Sequence, residues 1–448
     1  MRSAAILLGA LTAVPAWAAG NAYQIYLQRA AEVRRIPGLV AFWDFVQRED
    51  GLRGSGRFVS ATGRTGAAFP LEPRNIARDY WGEGREAGPE DFPLLGRGPF
   101  GQAVRFPPLT DPGLRPVLLV PRERIHDTGL DVKGPGRSVS MVAWILREGG
   151  SHAIAGIWHE GTDISPDGDR PAAVEKGRRQ YALFAGLAGN PGAVSVHVSE
   201  NGAASFGDRY ARNMAVTREK IPAAGPGSPP EELDAAWTVA GFTFDNARNR
   251  ATAFMDGRCT DYWIDEPARH PFYRFAHQGW LQSHLARLPG IQPGEDPRFP
   301  RDQYYEPPAS RPRRERIVSQ TAEERVVERT YEYTVVRAAF RKDAAGRFTV
   351  PAGEELTRLR VNPFWFQHDL YTPPSAAEGG PFTIGRVIHS RRGAGMDGYI
   401  GGVAVFNRAL TRREMARLAA IGRRNAARGG RLDLLELSRI LAAAPPGR

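Results

Sequence analysis

The sequence predicts an all-β fold, a jelly-roll β-sandwich. Short runs of β-branched, aromatic and small residues recur along the chain, and Gly, Pro, Asn or Asp stand between them. The clearest run, Ser138–Ile145, alternates apolar with small or polar residues, the pattern of a strand with one buried face. A chain of 448 residues with 42% hydrophobic and 10% aromatic residues is long and apolar enough for a large core.

The first residues read as an address. Met1-Arg2 precedes the apolar run Ala4–Val14, and Ala16 and Ala18 form an Ala-x-Ala site, so residues 1–18 are expected to be a signal peptide cleaved near Ala18. The mature protein is then exported, periplasmic or secreted. Residues 19–37 form a helical lead, with a helix over 23–36 carrying Ile25, Val33 and Ile36 on one face and ending at Pro37-Gly38. Strands are expected over 39–46, 103–106, 138–146, 181–185, 194–198, 237–245, 251–255, 382–384 and 399–406, within a sandwich spanning 38–420. The Gly- and Pro-rich residues 221–231 read as a surface loop. Residues 260–380 form a long insertion in which 317–336 and 348–350 read as a projecting hairpin. A last helix starts at Thr411, an N-cap with Glu414 three residues on, and a tail occupies 421–448.

The formal net charge is +11, yet only four of the 60 basic residues are lysines and the arginines are spread over the whole chain. That bias fits the codon usage of a GC-rich bacterial genome. Phosphate binders gather their basic residues on one face, so nucleic acid is not the expected partner. Cys259, the single cysteine, excludes an intramolecular disulfide framework and cysteine-based metal clusters.

Five segments in order resemble the laminin-G-like, concanavalin A-like lectin/glucanase superfamily. Gly38–Phe45 is similar to its opening strand, Gly98–Phe106 to its Gly-rich turn and second strand, and Ser138–Ile145 to its central strand with a core Trp. Trp237–Asp245 with Ala253–Arg258 resembles a hairpin returning through an Asp-Gly turn, and Gly398–Leu410 resembles the closing strand. The resemblance implies two curved antiparallel sheets with Trp43, Trp144 and Trp237 in the core. It also implies calcium as cofactor and roles ranging from sugar binding to adhesion.

The site residues must carry function, because one fold hosts many. No Glu-x-Asp-x-x-Glu run, the catalytic arrangement of glucanases in this superfamily, lies on a plausible strand, and Gly401-Gly402 replaces the family's acidic pair. Asp163, Asp167 and Asp169 surround Gly168 as a candidate calcium loop. It is not an EF-hand, since Val174 holds the twelfth position. Trp158, Trp263, Trp280 and Trp365 are candidate ligand-binding platforms for stacking on sugars, with Trp81, Tyr304-Tyr305 and Phe364-Trp365-Phe366 as further aromatics. His152/His159 and His270/His277/His284 recur at sevens, but without a continuous helix they read as ordinary histidines. The expected function is non-catalytic recognition of carbohydrate or a cell-surface glycoconjugate. The alternatives are a polysaccharide hydrolase or lyase with its site in the insertion, and a protein-binding adhesion module.

Overall fold

The computed structural model describes residues 16–49, 57–60, 69–96, 98–161, 178–187, 190–199, 202, 214–226, 228, 237–270, 311–365, 369–389 and 392–428. In chain order its strands begin with β1 (Leu39–Trp43), β2 (Glu72–Asn75), β3 (Val104–Phe106), β4 (Pro116–Val120), β5 (Val139–Gly150), β6 (Ala153–Trp158) and β7 (Arg179–Leu187). They continue with β8 (Asn190–Val198), β9 (Met214–Lys220), β10 (Thr238–Asp245), β11 (Arg250–Met255), β12 (Tyr262–Asp265), β13 (Arg314–Gln320) and β14 (Glu324–Thr330). The last are β15 (Thr334–Lys342), β16 (Phe348–Asn362), β17 (Phe364–Trp365), β18 (Phe382–Ile384), β19 (Arg386–Val387) and β20 (Ala394–Phe406). Helices are α1 (Ala16–Arg34), α2 (Ile76–Trp81), α3 (Arg122–Ile125) and α4 (Arg412–Arg428). Among the described residues no helix is long and apolar enough to cross a membrane.

An eight-stranded sheet has the order β1-β20-β5-β10-β11-β17, with β3 and β19 also paired to β20. A seven-stranded sheet has the order β2-β4-β18-β6-β7-β8-β9. Both are antiparallel, and they pack face to face as a sandwich. Alternation along β5 sorts its side chains in two directions. Val139, Met141, Ala143 and Ile145 enter the core between the sheets, whereas Val142, Trp144 and Leu146 pack under α1 and α4. Trp43 therefore lies between the sheets, stacked on Phe382 with centroids 5.1 Å apart, while Trp144 and Trp237 lie beneath the helices.

The α1 stripe differs from the sequence expectation. Tyr26, Ala30 and Val33 are buried, whereas Ile25 is only half-buried. The Tyr26 hydroxyl decides this, donating to the buried Asp44 carboxylate at 2.6 Å. At the other end Thr411 and Glu414 form the expected capping box: Thr411 N donates to Glu414 Oε2 at 2.8 Å and Glu414 N to Thr411 Oγ1 at 3.2 Å. Arg408 joins both helices to the sheet, bonding Glu414 and donating to the Pro37 carbonyl at 2.7 Å.

Two details refine the resemblance. The β10–β11 hairpin closes through Asn246–Asn249, and Asp256-Gly257, both at positive φ, instead ends β11. Gly401-Gly402 is a packing necessity. A Cβ at Gly401 would lie 2.8 Å from Pro99 Cδ, and one at Gly402 would lie 2.8 Å from the Phe100 ring and 3.1 Å from Trp144. Phe100 in turn meets Phe42 and Trp144 edge-on, with both centroids 4.8 Å away.

The inserted region is more than a hairpin. It forms a five-stranded antiparallel meander, β12-β16-β15-β14-β13. Its base joins the main core through Ile264, Tyr333, Leu359 and Val361. Buried Asn362 fastens it to β11, accepting from Ala253 N at 3.0 Å and donating to Ala253 O at 3.2 Å. Its far end leaves Ile317, Val318 and Val350 exposed.

Two outcomes follow. Gly402→Ala should lower stability by about 1–3 kcal/mol through overpacking, outweighing the roughly 0.4–1 kcal/mol gained from a less flexible unfolded chain; urea unfolding measures the balance. Bonding to Arg408 holds the Glu414 carboxyl down at about 2, below its ordinary 4.5. Its stabilisation is then present above pH ~4.5 and lost as the pH falls toward 2. Glu414→Gln should remove on the order of 1 kcal/mol at pH 7 and flatten the acid limb of a melting-temperature profile.

Candidate functional site

The five-stranded sheet presents a cleft. Its register sets Arg314 opposite Thr330, Thr330 opposite Val335, Val335 opposite Arg358 and Arg358 opposite Asp265, so this row shares one face. Trp263, two residues before Asp265 on β12, stands on the same face. Together with Arg316 and Glu328, these side chains other than Asp265 line a cleft of about 430 Å³. The Arg358 and Arg360 guanidinium carbons lie 5.5 and 6.0 Å from the Trp263 ring centroid, which fixes the indole by cation–π attraction. Carboxylates restrain part of the charge: Arg316 pairs with Glu328 at 2.8 Å, Arg358 with Asp265 at 2.7 Å, and Arg360 with Asp261. Arg314 has no carboxylate within ion-pair distance among the described residues. The result is a half-buried indole in an arginine-lined groove, suited to a ring-shaped ligand carrying negative groups.

Trp158 is elsewhere and offers no stacking face. It is fully buried at the end of β6, stacked on His197 with centroids 4.5 Å apart, and its indole N–H donates to Glu160 Oε1 at 2.9 Å. The apolar run 153–158 is a strand of the seven-stranded sheet rather than a loop edge, so its Trp is covered. Trp365 lies on β17, where only the backbone is described. Trp81 ends α2 beneath the Arg392 guanidinium, 4.5 Å from its centroid. Trp280, the loop residues Asp163, Asp167 and Asp169, Tyr304-Tyr305, Phe366, His277 and His284 lie outside the described residues.

The histidines flanking β6 are less ordinary than their spacing suggests. His152 Nε2 and His389 Nε2 lie 3.4 and 3.3 Å from the two oxygens of Glu160. Burial alone would raise the Glu160 pKa, but His152 and His389, with Arg179 and the Trp158 N–H, reverse this and hold it at about 2. Neighbouring His159 and His197 are pushed down to about 3, chiefly by burial, so both are neutral at pH 7. The end of an apolar strand in Trp-His-Glu was the visible signal. That His389 arrives beside it was not visible.

A second buried polar group is structural. Asp131 receives both terminal nitrogens of Arg122 at 2.8 and 3.0 Å, Lys133 Nζ at 2.7 Å and Gln180 Nε2 at 3.0 Å. It joins α3 and the loop after it to β7. Cys259 is half-buried, and burial raises its thiol pKa, which keeps it protonated and unreactive.

No protein-family model matches the chain, and no curated protein does. Solved structures similar to it include domain 4 of the GH43 extracellular arabinanase AbnA from Geobacillus stearothermophilus, in complex with arabinotriose. That match has 12% identity and TM-score 0.35, and covers 85% of this chain and 98% of the other. The botulinum neurotoxin serotype D/C binding domain (6% identity, TM-score 0.32) covers 86% of this chain, which spans 52% of the other. The binding domain of Paraclostridial Mosquitocidal Protein 1 (6%, TM-score 0.32) covers 85% and 51%. Likenesses this distant assign neither ligand nor activity.

Asp131→Ala should be among the more destabilising single changes, at about 3–5 kcal/mol, because Arg122 would stay buried without its carboxylate. Denaturant unfolding measures this, and Lys133→Ala at the half-exposed rim should cost clearly less.

Proposed function

We propose that the chain is an exported, laminin-G-like carbohydrate-binding protein that recognises an acidic glycan, non-catalytically, on its inserted sheet. The supporting observation is Trp263, set between Arg358 and Arg360 in a groove that Arg314 and Arg316 continue. An indole face stacks on a pyranose, and planar guanidinium groups bind carboxylate or sulfate in pairs. The groove's volume is that of a small-ligand site, enough for one or two sugar rings. Export at a signal peptide ending near Ala18 is part of the proposal. So is calcium at Asp163, Asp167 and Asp169.

Retention on immobilised polyuronate, sulfated glycan and neutral glucan tests the reading. Wild type should bind the acidic polymers, more weakly as salt rises. Trp263→Ala and Arg358→Ala should each lose at least about tenfold in affinity, the cost of truncating an anchoring side chain. Unchanged binding by Trp263→Ala, or no retention of wild type on any polymer, overturns it. Running the assay with calcium and with chelator tests the calcium requirement.

A further inference from the structure

The residues flanking β6 and the segment after β19 form a second constellation, independent of the Trp263 groove. We propose that His152, Glu160 and His389 bind one divalent transition-metal ion, with zinc as the best fit. One ring nitrogen of each imidazole and a carboxylate oxygen all lie within 4.8 Å of one another. The two nitrogen-to-oxygen separations, 3.4 and 3.3 Å, exceed the roughly 2.7–2.9 Å of a charge-assisted hydrogen bond. Each is close to the roughly 3.3 Å ligand-to-ligand spacing around an ion at about 2.0–2.1 Å. They run to different oxygens, Oε1 from His152 and Oε2 from His389, so the carboxylate turns one oxygen toward both imidazoles when it takes the ion.

The surroundings hold the three ligands in place. Glu160 N donates to the Ile388 carbonyl at 2.8 Å, which ties the segment leaving β6 to the one carrying His389. The His152 carbonyl accepts from Ala185 N at 2.7 Å, and the ring of His152 meets Phe184 edge-on at 5.3 Å. The Trp158 indole N–H on Glu160 Oε1 orients the carboxylate, the part an outer-shell donor plays in metal sites. Arg179 Nη2 fixes the Glu160 carbonyl at 2.8 Å.

Chemistry selects the ion. Two imidazole nitrogens and one carboxylate suit zinc and its transition-metal neighbours, whereas calcium takes six to eight oxygens. Three protein ligands are the number found where a fourth position takes water or substrate. His126, Asp127 and Asp131 also converge, but Arg122 and Lys133 already neutralise Asp131, so a cation there would face two resident positive charges.

Metal-stripped full-length protein titrated with zinc, calcium and cobalt tests the proposal. One equivalent of zinc should bind and raise the melting temperature. Cobalt should give the visible absorption of a four- or five-coordinate site, and X-ray absorption at the zinc edge should count two histidine nitrogens. Glu160→Gln, which keeps size and shape, and His389→Ala should each weaken zinc binding at least about a hundredfold, while Trp263→Ala leaves it unchanged. Wild type without stoichiometric zinc, zinc without histidine ligation, or unaltered zinc affinity in both folded variants overturns it. If a variant fails to fold, the wild-type stoichiometry and edge spectrum decide. Loss of glycan binding alone leaves this site untouched, so the two proposals fail separately.

Discussion

The eight-stranded sheet is covered on both faces, and the rest of the architecture follows from that constraint. One face packs against the seven-stranded sheet and the other carries α1 and α4. A sheet buried on both sides must fill two cores with one set of strands, so β5 and β20 alternate between them residue by residue. Where the aromatics of the helical side crowd closest, around Phe100, Trp144 and Trp237, β20 gives way with Gly401 and Gly402 and a shift of register. The helices are therefore part of the sandwich rather than ornaments on it. The contacts that seat them, Tyr26 on Asp44 and Arg408 on Glu414 and Pro37, join distant parts of the chain.

Polar groups inside this structure fall into two kinds. Asp44 and Asp131 are surrounded by donors that meet their charge or hydrogen-bonding capacity, and their neighbours are hydroxyl, amide, ammonium and guanidinium groups. Such clusters hold elements together. Glu160 differs, because beside the Trp158 indole N–H its two oxygens face imidazoles, which can hold a metal as well as a proton. The inserted sheet adds a third environment in which arginines outnumber carboxylates around an indole. Its base shares the sandwich core, so this groove stands on a rigid support rather than on a loose loop.

Strand positions in the sandwich were legible because period-two alternation is a local property. Thr238–Asp245 and Phe382–Ile384 lie where the pattern places them, while Val139–Gly150 and Ala394–Phe406 cover the expected 138–146 and 399–406 to within a residue and run four to five residues beyond. The capping box at Thr411 and Glu414 was legible for the same reason, its partners being three residues apart. Strands with weak or polar patterns were missed, notably Glu72–Asn75 and Met214–Lys220, whose pairing partners decide them. The insertion was read as a hairpin because the turns at 321–323 and 331–333, which divide 317–336 among three strands, carry no Gly or Pro to mark them.

Sequence alone determined the class of fold, the start of the last helix and the aromatic supply, since each rests on residues a few positions apart. Tertiary structure decided which aromatics serve the core and which stay accessible. Trp158 and Trp263 look alike in sequence, yet one lies between His197 and Phe184 while the other borders a groove. It also brought His389 to Glu160 and set Arg314 in line with Arg358 across four strands. Burial and long-range pairing depend on how sheets stack and strands order themselves, and no local pattern encodes that arrangement.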